Sequence, residues 1–163
     1  MDILKTAMGM EQMSIKYYQE LGEKVGLAAV RGATKLLVEE EEKHVQFIRE
    51  YLADKNACLE DSDESFDIAD IFFQFKNEIR SPLSIDNSIL TLYQKGIEME
   101  QKSIDLYEGL LGSMDAENDR AIIKKLILEE KKHKDFLEGL LDLTRTSEEW
   151  IEDPEFNHIG ENY

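Results

Sequence analysis

Carboxylate and imidazole side chains interrupt four stretches of this sequence that are otherwise patterned as amphipathic helices. Glu41 and His44 are three residues apart, as are Glu130 and His133, so in a helix each pair projects from one face and can bind a metal ion together. Two further stretches each contribute one carboxylate. The candidate ligands are Glu11, Glu41, His44, Glu100, Glu130 and His133. The chemistry that this set predicts is that of a two-metal carboxylate centre.

Charge balance and ligand type favour iron or manganese at such a centre. Four carboxylates are very costly to bury without counter-ions, and no Lys or Arg shares their hydrophobic stripes. Two divalent cations would balance these charges, with neutral imidazoles completing the ligand set. Oxygen-rich ligation with some nitrogen suits iron or manganese better than structural zinc, which prefers closed Cys/His sites.

The sequence contains an internal duplication that repeats this pattern. Residues 8–18 and 97–107 share six identities over eleven positions, and residues 36–48 and 125–137 share six over thirteen. Both pairs of segments have the same offset of 89 residues, which relates Glu11 to Glu100. A common offset indicates a duplicated helical hairpin.

The hydrophobic periodicity predicts an all-α four-helix bundle made of two hairpins. Gly26 and Gly112 are expected at helix ends, and Asp86 is a possible N-cap. The segment 56–65 is predicted as a polar loop and 66–79 as a short amphipathic helix within a long crossover. The main helices are predicted at about 2–25, 29–54, 86–113 and 117–144. We therefore expect one four-helix bundle domain over 1–144 and a tail over 145–163 that packs on the bundle or on a partner subunit.

The composition excludes several classes of function. A chain of 163 residues suits one domain, and its formal net charge of −17 disfavours binding to nucleic acid or to anionic membranes. There is no apolar run of about 18 residues and no signal-like N-terminus, so a cytoplasmic protein is expected. The single Cys58 excludes an internal disulfide.

Two other glutamates compete for the ligand role. Glu40 and Glu129 each lie four residues before a histidine. We prefer Glu41 and Glu130 because they continue the hydrophobic stripes of their helices, which makes Glu40 and Glu129 outer or surface groups.

At these six positions the sequence resembles the ferritin-like superfamily, in particular its rubrerythrin-like branch, over nearly all of residues 1–144. The resemblance implies two iron ions (Fe2+/Fe3+), with manganese or zinc as possible substitutes, and a diferrous centre that reacts with hydrogen peroxide or O2. By analogy Glu41 and Glu130 would bridge the ions, Glu11 and Glu100 would be terminal ligands, and each ion would have one histidine.

Two tyrosines extend the candidate site. Tyr18 and Tyr107 lie seven residues after Glu11 and Glu100, on the same helix faces. They could donate hydrogen bonds to the opposing bridging carboxylates, although ordinary core tyrosines would show the same spacing. The candidate catalytic residues are thus Glu41, Glu130, Tyr18 and Tyr107.

Several departures from the family pattern bear on function. Rubrerythrins typically carry a four-cysteine rubredoxin-like module, which Cys58 alone cannot form, so an external electron donor is expected. They also carry an extra ligating Glu where this chain has Ser103. The remaining six-ligand set looks like that of bacterioferritin, but Glu42 stands where its haem-ligating Met would be, and the crossover helix is unlike a storage-shell subunit.

This resemblance is compatible with three hypotheses about function. The first is a di-iron oxidoreductase that reduces hydrogen peroxide or O2 in oxidative-stress defence. The second is a ferroxidase-type protein that oxidises Fe2+ and stores it or passes it on. The third and weakest is a bundle that metal merely stabilises.

The remaining expectations concern surfaces and the core. A homodimer is expected because Phe72, Phe73, Phe75 and Trp150 offer more apolar surface than one bundle needs, with core burial as the alternative. Met10, Met13 and Met99 are expected to fill the core. His158 is expected at the surface.

Overall fold

The computed structural model describes residues 3–54, 68–79 and 87–152, with side chains of the last helix described as far as Thr146. These residues form helices and no strands, which confirms the all-α prediction. The five helices are α1 (Ile3–Lys24), α2 (Ala28–Ala53), α3 (Ile68–Ile79), α4 (Asn87–Leu111) and α5 (Glu117–Glu152).

The four long helices pack as two antiparallel hairpins. α1 lies along α2, α4 lies along α5, and α1 also contacts α4. The direction of that last contact follows from two hydrogen bonds, from Tyr18 to Glu100 and from Tyr107 to Glu11, since the later residue of one helix meets the earlier residue of the other. The helix α3, which lies in the crossover, packs against α2 and α5.

The apolar core is divided into two clusters. One surrounds Tyr18, Leu37 and Leu137, near the turn between α1 and α2. The other surrounds Ile48, Tyr107 and Leu126. Along each helix the ionisable residues of the predicted centre lie between the two clusters, so apolar packing closes the bundle above and below a polar layer.

Side chains from neighbouring elements satisfy the helix ends that border the connections. Glu78 of α3 accepts a hydrogen bond from the backbone N–H of Ala29 at 3.0 Å, which places a carboxylate at the N-terminus of α2. Arg120 donates to the backbone carbonyl of Leu111, at the end of α4, and to that of Met114 at 3.2 Å. The crossover helix and the α4–α5 turn thereby fix the two hairpins.

The structure corrects the predicted end of the last helix. α5 continues to Glu152, eight residues beyond the expected boundary at 144. No Gly or Pro occurs between 145 and 152, and Pro154 is the first residue that would stop a helix. Whether the tail packs on the bundle stays a prediction, because 153–163 lies outside the described residues.

Exposure of two apolar side chains bears on the surface predictions. Met13 is 54% exposed, so its expected place in the core is wrong. It lies two residues after Glu11, which turns it to the opposite side of α1. Phe73 is 66% exposed, as a partner-facing residue would be, and the homodimer stays a prediction.

Several expectations fall on parts of the chain outside the described residues. This applies to the polar loop 56–65 and to positions Cys58, Asp86 and His158, as well as the side chains of Phe72, Phe75 and Trp150. Within the described ranges, no helix is long and apolar enough to cross a lipid bilayer.

Close approach of α1 and α2 gives a first testable prediction. A Cβ on Gly22 would lie 2.5 Å from Thr34 Oγ1, which donates to the carbonyl of Val30 at 3.0 Å. We expect Gly22→Ala to lower the free energy of unfolding by about 1–3 kcal/mol, measured by urea unfolding. The matched control is Gly9→Ala in the same helix, where nothing lies within 4 Å; it should raise the value by about 0.5–1 kcal/mol. Equal effects would contradict the close approach.

Candidate metal centre

All six predicted ligand residues meet at the centre of the bundle. Their side chains are at most 2% exposed, although every one is ionisable. They come from all four long helices: one from α1, two from α2, one from α4 and two from α5. The helical spacing of three residues brings each histidine to the same face as its glutamate, as the sequence predicts. The residues are Glu11, Glu41, His44, Glu100, Glu130 and His133.

The side chains fall into two overlapping groups, each of which could hold a metal ion. One group contains Glu11, Glu41, His44 and Glu130; in the other, Glu100 and His133 join the same Glu41 and Glu130. Within each group the ligand atoms lie within 4.8 Å of one another. The internal duplication, with its offset of 89 residues, converts one group into the other. Glu41 and Glu130 belong to both groups, which is the arrangement that bridging carboxylates require.

The two imidazoles face the shared carboxylates through the same ring nitrogen. His44 Nδ1 lies 3.3 Å from Glu41 Oε2 and 3.4 Å from Glu130 Oε1. His133 Nδ1 lies 3.3 Å from Glu41 Oε1. The two rings stack with centroids 5.5 Å apart and planes inclined by 21°. α2 and α5 therefore present their histidines side by side to one pair of carboxylates.

Unsatisfied carboxylate oxygens show that these residues fit a metal. Both oxygens of Glu130 are buried without a hydrogen-bond partner, and so is one oxygen each of Glu11, Glu41 and Glu100. Buried carboxylates normally have their oxygens hydrogen-bonded or bound to a cation. Because the donors are four carboxylates and two imidazoles, the set suits hard or borderline divalent ions such as iron or manganese.

The carboxylates depress one another's ionisation when no metal is bound. Burial and the charge of Glu11 raise the pKa of Glu41 well above its usual range. Burial and the charge of Glu130 do the same to the pKa of Glu100. Burial, with the charges of Glu41 and Glu11, raises the pKa of Glu130 to about 8. A metal-free centre therefore takes up protons, which incoming cations must displace.

Glu11 and His44 form an ion pair within this centre. Burial acts to raise the pKa of Glu11, but the attraction of His44, whose Nδ1 lies 3.9 Å from Glu11 Oε2, lowers it. Burial acts to lower the pKa of His44, yet the nearby carboxylates of Glu11, Glu130 and Glu41 raise it well above the ordinary value. By contrast, burial lowers the pKa of His133. The two halves, though related by duplication, thus carry different charges when the centre is empty of cations.

Both tyrosines hydrogen-bond across the bundle, but to other partners than expected. Tyr18 donates to Glu100, and Tyr107 donates to Glu11. The expectation that they bond opposing carboxylates is correct, whereas their assignment to Glu41 and Glu130 is wrong. The helices α1 and α4 lie side by side, so a tyrosine two turns along one helix reaches the carboxylate of the other. Burial and the adjacent carboxylate raise the pKa of each tyrosine well above its usual range.

The competing glutamates lie outside both groups. Glu40 and Glu129 are 4% and 9% exposed, and each pairs with the lysine three residues later. Lys43 Nζ lies 2.8 Å from Glu40, and Lys132 Nζ lies 2.9 Å from Glu129. These ion pairs repeat in both hairpins and leave Glu40 and Glu129 as outer groups, in agreement with the preference for Glu41 and Glu130.

Sequence reasoning missed the burial of a serine pair in this region. Ser14 and Ser103 are 1% and 0% exposed and follow Glu11 and Glu100 by three residues. The duplication carried the signal, because the two serines are one of the identities that the repeat preserves.

This fold and this site define a class: an all-α, ferritin-like bundle with a buried carboxylate–histidine group that could hold metal. The family model for rubrerythrin matches residues 2–141. The chain therefore belongs to the rubrerythrin family, a di-iron family with the ferritin-like fold. Comparison with curated proteins and with solved structures found no match.

The hydrogen bonds from Tyr18 and Tyr107 to the candidate ligands Glu100 and Glu11 give a second prediction. Tyr18→Phe should remove the donor to Glu100 and weaken the affinity for divalent metal by about tenfold, with two ions per chain still bound. Tyr107→Phe should act equally through Glu11. The measurement is anaerobic titration with Co2+, followed by calorimetry. The matched control is Tyr51→Phe, since Tyr51 is buried but donates to Asp119. Unchanged affinity in the first two variants would mean that these hydroxyls do not support the metal ligands.

Proposed function

We propose that this protein is a di-iron oxidoreductase that reduces hydrogen peroxide, or O2, at a diferrous centre held by the six buried residues. The observation that supports it most is the pair of overlapping groups sharing Glu41 and Glu130. Two ions bridged by the same carboxylates can act on the two oxygen atoms of one molecule.

The proposed chemistry is a two-electron reduction. A bound diferrous pair would supply two electrons, and hydrogen peroxide takes up two electrons and two protons to form two molecules of water. An external reductant would return the electrons. A role in cytoplasmic oxidative-stress defence is consistent with this reaction.

The surrounding residues would hold the ions, orient the ligands and exclude water from the site. Glu41 and Glu130 would hold both ions, while Glu11 and Glu100 would each hold one. Tyr18 and Tyr107 stay protonated because their pKa values are raised, so they would orient Glu100 and Glu11 rather than ionise. The apolar clusters on either side of the polar layer would exclude bulk water.

The test is anaerobic titration of the metal-free protein with Fe2+, followed by rapid mixing with peroxide or with O2. We expect saturation near two irons per chain and faster oxidation by peroxide, followed as near-ultraviolet absorption. Multiple turnovers with an added electron donor would establish catalysis. Binding of two irons with no reaction toward either oxidant would leave a bundle that metal only stabilises.

A ferroxidase-type function is the second candidate, and one observation favours it. Ser103 stands where rubrerythrins carry an extra ligating Glu, so the ligand set is the six-residue one that resembles bacterioferritin. Iron would then be substrate as well as cofactor. Faster oxidation by O2 and iron uptake well past two ions per chain would support this function over the first.

A further inference from the structure

Ser14 and Ser103 have buried hydroxyl groups that no neighbour satisfies. The side chains are 1% and 0% exposed, and both Oγ atoms lack a hydrogen-bond partner. A buried hydroxyl without a partner costs roughly 1–3 kcal/mol. Such groups in a folded protein therefore point to a molecule that binds there.

The other buried Ser and Thr side chains of the described part behave differently. Thr34 donates to the carbonyl of Val30 at 3.0 Å, and Thr144 donates to that of Leu140 at 2.8 Å. This bond to the carbonyl four residues earlier is the usual way for a helical hydroxyl to be satisfied. Ser14 and Ser103 do not use it, although they too lie within helices.

The positions of the serines place them beside the candidate metal centre. Ser14 lies three residues after Glu11 and four before Tyr18, hence between them on one face of α1. Glu11 and Tyr18 both reach across to α4, so this face is turned toward α4. Ser103 has the same place on α4, between Glu100 and Tyr107.

The antiparallel packing of α1 and α4 brings the two serines to about the same level along the bundle axis. Tyr18 meets Glu100 and Tyr107 meets Glu11, so residues 11–18 of α1 run antiparallel to residues 100–107 of α4. The middle of the first segment therefore faces the middle of the second. Ser14 and Ser103 occupy those midpoints. The histidines belong to α2 and α5, so the serines mark the opposite side of the centre.

We propose that Ser14 and Ser103 form a hydroxyl-lined subsite, between α1 and α4, that donates hydrogen bonds to a small oxygen or nitrogen ligand bound at the metal centre. The ligand class is that of peroxide, water or azide: molecules of one to three heavy atoms with lone pairs. This inference rests on the proposed function, because the ligand must bind at the metals.

The test uses azide, which probes the subsite without turnover. The protein is loaded with Co2+, and azide is titrated while the visible absorption is recorded. We expect the Ser14→Ala/Ser103→Ala double variant to bind two Co2+ per chain within about twofold of the wild-type affinity. Its azide affinity should fall by about tenfold or more, as expected for the loss of hydrogen bonds to an anion. Each single variant should show part of the loss.

Thermal unfolding of the metal-free protein supplies an independent readout. The double variant should be at least as stable as the wild type, since its serine hydroxyls have no partner to lose. The matched control is Thr144→Ala, which removes a bonded hydroxyl and should lower stability while leaving azide affinity unchanged.

Three results would overturn the subsite. Azide affinity within twofold of wild type in the double variant would show that the serines do not contact the ligand. A large loss of Co2+ affinity would make them metal ligands instead. Failure of the wild type to bind two metal ions would overturn the proposed function and the subsite together, whereas the first two results leave that function standing.

Discussion

Glu130→Gln is expected to abolish tight binding of both metal ions. Glu130 belongs to both candidate groups, and neither of its buried oxygens has a hydrogen-bond partner. The amide keeps the shape of the side chain but removes one negative charge and one of its two acceptor oxygens. Since even outer partners of metal ligands contribute 10–100-fold in affinity, loss of a shared ligand should cost on the order of 100-fold or more. Anaerobic calorimetric titration with Co2+ measures both affinity and stoichiometry.

The adjacent Glu129 provides a matched control. Glu129→Gln makes the same chemical change one residue earlier, at a side chain that is 12% exposed and pairs with Lys132. This variant should still bind two ions with near wild-type affinity. Two tightly bound ions in Glu130→Gln, or an equal loss in both variants, would contradict the assignment of Glu130 as a shared ligand.

Variants at other glutamates separate shared from single roles. Glu41→Gln should match Glu130→Gln, because Glu41 is the other residue common to both groups. Glu11→Gln and Glu100→Gln each alter one group and should leave one tight ion. A graded pattern of this kind would distinguish a bridged pair from two independent sites.

The sequence was sufficient to predict the arrangement of the centre because two periodicities act together. The helical period puts Glu41 and His44 on one face, and the 89-residue offset repeats that face in α5. A buried charge also constrains its neighbours, since it must be neutralised. The helical period, the duplication and the need to neutralise buried charge can all be read from the sequence. None of them requires knowledge of how the two hairpins pack against each other.

The features that the sequence did not predict depend on how the two hairpins pack against each other. The hydrophobic stripe of α1 shows which way Tyr18 faces. Which residue it meets depends on how far α4 is shifted along the bundle axis relative to α1, and this shift brings Glu100 to Tyr18. Likewise, a buried serine has no hydrophobic signature, so the sequence alone does not predict the burial of Ser14. The end of α5 was misplaced for another reason: the residues after Thr144 contain no helix breaker, and weak polar patterning does not end a helix.

The metal-free protein should lose stability as the pH rises from about 5 to 8, and Glu130→Gln should reduce that loss. Burial and the charges of Glu41 and Glu11 raise the pKa of Glu130 from 4.5 to about 8. Below 4.5 the group is protonated in both the folded and unfolded states. Between these values the folded state holds a proton that the unfolded state releases, so stability falls by about 1.4 kcal/mol per pH unit for this group.

Glutamine is neutral throughout this range, so the variant should exceed wild type in stability by a few kcal/mol at pH 8 and by little at pH 5. The remaining slope comes from Glu41 and Glu100 and, above about pH 6.5, from His44, because the pKa values of all three are also raised. Urea unfolding in the presence of a chelator, at each pH unit, measures the difference; Glu129→Gln should follow wild type. Parallel pH profiles for Glu130→Gln and wild type would show that Glu130 is ionised in the metal-free bundle. The expected result instead means that Glu130, the residue shared by both candidate metal groups, destabilises the metal-free fold, so the candidate centre is kept at a cost in stability.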